Sequence, residues 1–130
     1  MTERSKHRAS GRVDITSFQA QPYDDSGSFT ISDVMVTEQF AGGLVGVGLV
    51  RFIMVNEPDG AAHFTGMERF LGNVGERSGS FILRNSGTEE NGMLNASWRI
   101  IPGSGAEGLE GICGEGGREP NGYWLDYWFE

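Results

Sequence analysis

The sequence has few of the residues that bind metals, form disulfides or carry covalent chemistry. Its 130 residues include one cysteine, Cys113, and two histidines, His7 and His63. One cysteine excludes an intrachain disulfide and a cysteine-based metal cage, and two histidines argue against a histidine-rich metal site. Lys6 is the only lysine, which excludes Schiff-base chemistry in the rest of the chain. We therefore expect neither a metal nor an organic cofactor.

Long apolar segments are also missing. The first twenty residues lack the apolar core of a signal peptide. The apolar stretch at residues 43–55 is too short to span a bilayer, and it contains Arg51. The net charge of −8 should repel the phosphates of nucleic acids. These features predict a cytoplasmic protein that binds neither membranes nor nucleic acids.

Glycine, in contrast, is abundant, since the chain has 21 glycines but only four prolines. Glycines spread between apolar runs favour many turns and bulges, and therefore short strands. Residues 1–12 hold four basic residues and one acidic residue, and we expect them to form a flexible basic arm. A chain of this length suits one domain, which we place at residues 13–130.

Apolar residues alternate with polar ones along most of the chain, and no window shows a sustained helical stripe. The alternation predicts strands at residues 11–18, 29–40, 44–55, 62–72, 79–87, 93–101 and 123–130. With short connections between them, this pattern indicates an all-β barrel or sandwich of about eight strands.

Three arginines, Arg69, Arg84 and Arg99, occupy matched places on successive strands and are easier to solvate than to bury. With these arginines outside, an aromatic-rich set turns inward: Phe64, Gly66, Glu68, Phe70, Phe81, Leu83, Asn85, Ala96, Trp98 and Ile100. A closed barrel of eight strands is either filled by such side chains or holds one small ligand.

Three sequence blocks, ERF at 68–70, GSF at 79–81 and PGSG at 102–105, stand together with the C-terminal YWLDYWFE. Through these blocks the chain resembles a bacterial domain family of unknown function. The resemblance extends from about Val13 to Glu130. Members of that family are similar to the allene oxide cyclase barrel. The resemblance implies a small closed antiparallel barrel of the calycin kind, and it implies a fold rather than a reaction.

The segment from Gly103 to Gly108 matches the G-x-G-x-x-G phosphate-binding pattern. That pattern needs a helix after it, and glycine recurs too often between residues 105 and 117 for a helix to form. We therefore expect no dinucleotide site. Residues 106–117 are instead predicted to form a compact link, in which Leu109 and Ile112 close one end of the barrel.

Glu68 is the leading catalytic candidate, because an aromatic lumen raises the pKa of a carboxyl group and suits it to acid/base chemistry. The alternatives are an ion pair with Arg51 on a neighbouring strand and a hydrogen bond to a backbone turn. Asn85 is a candidate to orient a substrate carbonyl by donating from its amide, or else it satisfies a strand-end backbone group. Tyr127 and Tyr23 are candidate hydroxyl donors at the barrel mouth, although tyrosines in strands usually pack.

The predicted substrate-binding set is Tyr23, Arg51, Phe64, Phe70, Phe81, Leu83 and Trp98. We expect a cyclase or isomerase that folds a hydrophobic, oxygenated, polyketide-like molecule inside the barrel. The alternatives are a non-catalytic barrel that binds a hydrophobic ligand and a dimerising scaffold with a filled core. A homodimer contact is predicted through Trp124 and Trp128, because aromatic residues occupy both faces of the last strand.

Overall fold

The structure, a computed structural model, describes residues 5–130, which form one antiparallel sheet of nine strands. The strands are β1 (His7–Asp24), β2 (Thr30–Gly42), β3 (Leu44–Asn56), β4 (Ala62–Val74), β5 (Arg77–Glu90), β6 (Met93–Ile100), β7 (Ala106–Glu107), β8 (Ile112–Arg118) and β9 (Gly122–Phe129). Within residues 5–130 there is no helix, and so none that is long and apolar enough to cross a membrane. The prediction of an all-β fold is confirmed.

Eight of the strands form a closed hydrogen-bonded ring. Neighbouring strands pair in the order β1-β2-β3-β4-β5-β6-β8-β9, and β9 pairs back onto β1. The two-residue strand β7 lies beside β5, outside the ring. A sheet that closes on itself pairs the edge strands that an open sheet leaves exposed.

The N-terminal residues complete this ring. Residues 7–12 pair with β9, from His7 opposite Tyr127 to Arg12 opposite Gly122. The prediction of a flexible arm over residues 1–12 is therefore wrong for residues 7–12, and residues 1–4 lie outside the described residues. The charge of the segment does not prevent pairing, because Arg8 finds a partner on β9: its Nε lies 2.6 Å from Asp126 Oδ1.

Strand β8 comes from the glycine-rich segment that the sequence predicts to be a link. Its backbone pairs with β6 on one side and β9 on the other. Gly116 allows the close approach to β9, because a Cβ there would collide with the carbonyl oxygen of Trp124. The prediction of a link is therefore wrong for residues 112–117, which belong to a strand. Leu109 and Ile112 are fully buried, in line with their predicted place at one end of the interior.

The ring is closed along only part of the strand length. Strands β8 and β9 have seven and eight residues, whereas β2, β3 and β4 have 13 each and β1 has 18. Strand β9 pairs with β1 only up to Arg12, and β8 pairs with β6 only from Ala96 onward. Among the described strands, none fills the space between residues 13–24 of β1 and residues 93–95 of β6.

The interior of the closed part is a dense apolar core, which we call the packed end. Its buried members are Ala9, Val13, Phe40, Leu44, Phe70, Val74, Phe81, Leu83, Trp98, Ile100, Leu109, Ile112, Tyr123 and Leu125. Phe40 lies at its centre, with ring centroids 5.3 Å from Tyr123 and 5.6 Å from Phe70. A smaller cluster of Val34, Val36 and Val50 lies in the open part, which we call the open end.

The outward placement of the three matched arginines is confirmed. Arg69, Arg84 and Arg99 are exposed, while the alternate positions Phe70, Leu83 and Trp98 are buried. The alternation of polar and apolar residues therefore gives the correct face for β4, β5 and β6.

Candidate functional site

A cavity of about 300 Å³ occupies the open end. Its apolar walls are formed by Ile15, Phe18, Val36, Val50, Phe52, Met54, Ala62, Phe64, Leu94 and Ala96. Ile15 and Phe18, on the part of β1 that pairs with β2 but not with β9, are each 52% exposed, and they form one side of the mouth. Three buried polar residues, Glu38, Asn85 and Arg118, line the cavity where it meets the packed end.

The alternation of the strands brings these three polar residues together. Glu38 shares the inward face of β2 with Val36 and Phe40, and Asn85 shares that of β5 with Leu83. Arg118 is the last residue of β8, at the level where that strand ends and the cavity begins. The polar group therefore marks the boundary between the packed and open ends.

Glu38 and Arg118 form a buried ion pair. Arg118 Nε lies 3.1 Å from Glu38 Oε2, and their side chains are only 8% and 4% exposed. The distance is that of an ion pair, but the Nε–H does not point at the carboxylate as in a hydrogen bond. Removing either member would leave a buried charge unpaired, which is strongly destabilising.

Glu68 lies behind this pair and is 1% exposed. Asn85 Nδ2 donates a hydrogen bond to Glu68 Oε1 over 3.4 Å. The carboxyl group fits because residue 48 is glycine: a Cβ there would collide with Glu68 Oε2 and lie 2.9 Å from Phe40 Cε2. Gly48 therefore provides the space in which the Glu68 carboxyl group is held.

The Glu68 carboxyl group interacts with that of Glu38. Burial raises the pKa of Glu68 well above its ordinary value, the neighbouring Glu38 raises it further, and Arg118 and Asn85 oppose these effects. Glu38 and Glu68 lie within hydrogen-bond reach of each other, yet Glu38 Oε1 and Glu68 Oε2 have no donor from the described residues. A proton on the Glu68 carboxyl group, which its raised pKa favours, would supply a donor that this buried pair otherwise lacks.

Among the predicted catalytic residues, Glu68 and Asn85 come together and Tyr127 does not join them. The Tyr127 ring lies beside that of His7, with ring centroids 5.3 Å apart, and Tyr127 lines a surface depression with Val74 and Arg77. That depression shares no residue with the cavity. Tyr127 therefore does not lie at the mouth of the cavity as expected.

Two of the predicted substrate-binding residues lie on the outer surface. The Arg51 side chain is 70% exposed and pairs with Asp33, with Arg51 Nη2 2.6 Å from Asp33 Oδ2. Tyr23 is 59% exposed and lines a shallow outer depression beside the same two residues. The alternative that Glu68 pairs with Arg51 is wrong, because strand alternation puts these side chains on opposite faces of the sheet.

The predicted apolar substrate-binding residues divide between the two ends. Phe64 lines the cavity, where its ring centroid lies 5.1 Å from that of Phe52. The other four belong to the packed end and do not line the cavity: Phe70, Phe81, Leu83 and Trp98. The expectation of one aromatic lumen is therefore corrected to a filled end and a separate cavity.

Sequence reasoning missed Glu38 and Arg118. Glu38 was recognisable, because it falls in the same alternation phase as Val34, Val36 and Phe40. Arg118 carried no such signal, because glycines at positions 114 and 116 occupy the inward places before it on β8. Within residues 5–130, no group of three or more histidine, cysteine, aspartate or glutamate side chains is arranged to hold a metal ion.

The tryptophan face of β9 is covered by the same chain. Arg8 lies over Trp124 and Lys6 lies over Trp128, at 4.8 and 5.2 Å from the ring centroids. Both tryptophan rings thus contact cationic side chains of the same chain. The homodimer contact through these tryptophans stays a prediction.

Comparisons with known proteins cover nearly the whole chain. A family model described as a protein of unknown function matches residues 9–130. The chain belongs to the DUF3224 family. A solved DUF3224 protein of unknown function from Shewanella oneidensis MR-1 is 20% identical, with a TM-score of 0.78 over 97% of this chain and 99% of its own. That likeness shows the fold alone, and none of the curated proteins matches the chain.

Proposed function

We propose that the chain is a small-molecule isomerase or cyclase whose hydrophobic, oxygenated substrate binds in the cavity. One observation carries the proposal: a cavity with apolar walls ends on a buried carboxylate–arginine pair, with a second carboxyl group behind it. The volume of about 300 Å³ is at the lower end of the range for small-molecule sites. Perturbed titratable groups beside a cleft are typical of active sites.

Glu38 is the acid/base group that faces the cavity. Its carboxyl group, with Oε2 3.1 Å from Arg118 Nε, is the group that we assign to accept a proton from the substrate. Glu68 holds a proton behind it, and Asn85 keeps the Glu68 carboxyl group in place. During an isomerisation the carboxyl pair takes a proton from one substrate atom and returns one to another, so the pair ends in its initial state.

The cavity walls account for the remaining catalytic contribution. Phe52, Phe64 and Leu94 exclude water from a bound apolar substrate and restrict its conformation, which favours ring closure or rearrangement. This class of reaction is proposed by analogy with the allene oxide cyclase barrel that the sequence resembles, and a closed ring of eight strands is compatible with such a barrel. A polyketide-like substrate and a cytoplasmic location stay predictions.

A non-catalytic carrier of a hydrophobic ligand is the second candidate. The exposed apolar mouth at Ile15 and Phe18 favours it, because an open mouth lets a ligand enter and leave without closing the site. The third candidate, a dimerising scaffold with a filled core, accounts for the packed end but not for the cavity at the open end.

The test exploits the constant mass of an isomerisation. We incubate the purified protein with a fractionated metabolite extract and follow it by liquid chromatography and mass spectrometry. An isomerase removes one compound and produces another of the same mass at a different retention time. A Glu38→Gln protein that circular dichroism shows to be folded should not convert the compound, because the amide cannot accept the substrate proton.

Glu115→Gln is the matched control, since Glu115 is exposed on the outer face beside Arg99. This variant should convert the compound as fast as the wild type. A compound that stays bound and elutes unchanged would instead support the carrier, and conversion that survives Glu38→Gln would remove the acid/base role of the carboxyl pair.

A further inference from the structure

Only one of the two polar atoms in the Asn85 side-chain amide forms a hydrogen bond with the described residues. Its Nδ2 donates to Glu68 Oε1, while its Oδ1 is buried and receives no hydrogen bond from the described residues. Asn85 is 5% exposed and lines the cavity. A buried amide oxygen without a donor is costly, and such groups in native proteins usually have a partner that the chain itself does not supply.

The orientation of this amide follows from the carboxyl pair. Glu68 Oε2 has no donor from the described residues and lies against Gly48, the cross-strand partner of Glu38, so we place the Glu68 proton on Oε2. Glu68 Oε1 is then an acceptor, and it takes the N–H of Asn85 rather than its carbonyl oxygen. Asn85 Oδ1 is consequently the acceptor left for a ligand in the cavity.

The charges around the cavity floor are balanced. With one proton on Glu68, the Glu38 carboxylate and the Arg118 guanidinium cancel each other. The one other ionisable residue among the described residues that line the cavity is Glu89, which is exposed at the rim. A ligand carboxylate would have no free cation to pair with, and a ligand ammonium would compete with Arg118 for Glu38.

We propose that the cavity takes an uncharged ligand with an apolar body and a hydroxyl or N–H group that donates to Asn85 Oδ1. The inference rests on the proposed function of the cavity as a small-molecule site. It reverses the role expected for Asn85, which was to donate to a substrate carbonyl. The ligand class is thus narrowed from oxygenated molecules in general to alcohols, phenols and their N–H counterparts.

Three naphthalene probes of similar size separate these possibilities. 2-Naphthol donates a hydrogen bond, 2-methoxynaphthalene only accepts one, and 2-naphthoate carries a negative charge. We measure their dissociation constants by calorimetry and follow the Asn85 side-chain amide signals by NMR. We expect 2-naphthol to bind about tenfold tighter than either other probe, the usual size of one well-placed hydrogen bond.

Asn85→Leu should remove the preference for 2-naphthol and leave the affinity for 2-methoxynaphthalene within about twofold. Asn95→Leu, at an exposed position of β6, is the matched control and should keep the preference. If Asn85→Leu does not fold, the comparison of the three probes on the wild type still decides the matter.

Equal or tighter binding of 2-methoxynaphthalene would overturn the assignment of Asn85 as an acceptor, and tightest binding of 2-naphthoate would overturn the choice of an uncharged ligand. In both cases the cavity remains a small-molecule site. If none of the three probes binds at millimolar concentration, the proposed function fails, and this inference with it.

Discussion

The packed end and the open end are built from the same long strands, yet one is filled and the other is hollow. At the packed end, β8 and β9 complete the ring, and aromatic residues from β2, β4, β5, β6 and β9 fill the interior. At the open end those two short strands are missing, and the side chains of β1 that point inward are half exposed. The lengths of two strands therefore decide where the interior of the ring is open.

The polar residues lie at the boundary because each end excludes them for a different reason. An ion pair inside the packed end would lose its hydration without any access to substrate. At the open end the pair would be exposed to water, which would weaken the attraction between its two charges. Between the two, Glu38 and Arg118 are buried yet line the cavity, and the buried Glu68 lies behind them.

The largest expected effect tests the difference in packing. Phe81→Ala, at a position with 0% exposure, should lower the free energy of unfolding by about 3–5 kcal/mol, because it leaves an enclosed void. Phe64→Ala, the matched change at the cavity, should cost about 1 kcal/mol, since the space it leaves is continuous with an existing cavity. Urea unfolding measures both. Equal losses would show that the two ends are packed alike.

The second effect tests the buried ion pair at the boundary between the packed and open ends. Arg118→Met should cost about 3 kcal/mol, because it leaves the Glu38 carboxylate buried without a cation. The double variant Glu38→Met/Arg118→Met should recover at least about 1 kcal/mol of that loss, since no buried charge remains. The same unfolding assay applies. A double variant less stable than Arg118→Met would contradict the ion-pair explanation.

A third effect concerns the space that Gly48 leaves for the Glu68 carboxyl group. Gly48→Ala should cost about 2 kcal/mol, because the new methyl group displaces Glu68 and presses on Phe40. Gly27→Ala is the control, since a Cβ there meets no atom within 4 Å, and its stability should stay near that of the wild type. Thermal unfolding of both variants, read against the wild type, tests the close contact. A stable Gly48→Ala protein would mean that Glu68 can move without cost.

The smallest effect is the pH dependence that Glu68 contributes. Because its folded pKa is raised above the ordinary value of 4.5, its contribution to stability is fully present below pH 4.5 and is lost as the pH rises through the folded pKa. The slope is at most about 1.4 kcal/mol per pH unit in that window. Glu68→Gln should lack this slope when unfolding is measured from pH 4 to pH 8. Parallel curves for wild type and variant would show that Glu68 does not bind the proton.

The strand pattern explains how much of the site was predictable. Glu68, Asn85 and Phe64 were found because they alternate with exposed arginines on long, regular strands. Arg118 was not found, because the glycines of β8 carry no side chain to show which face points inward. Tyr23 and Arg51 were misplaced because sequence alone does not show which face of β1 and β3 points inward at those positions.

By itself, the sequence determined the all-β architecture and the inward face of the central strands, because alternation with period two is a local property of the chain. Its short sequence blocks indicated a family of unknown function. The tertiary structure decided the rest. The N-terminal residues close the ring by pairing with the last strand, and β8 is a strand only because β6 and β9 supply hydrogen bonds on both sides. The pairing of Glu38 with Arg118 joins residues 80 positions apart, a contact that only the closed sheet brings about.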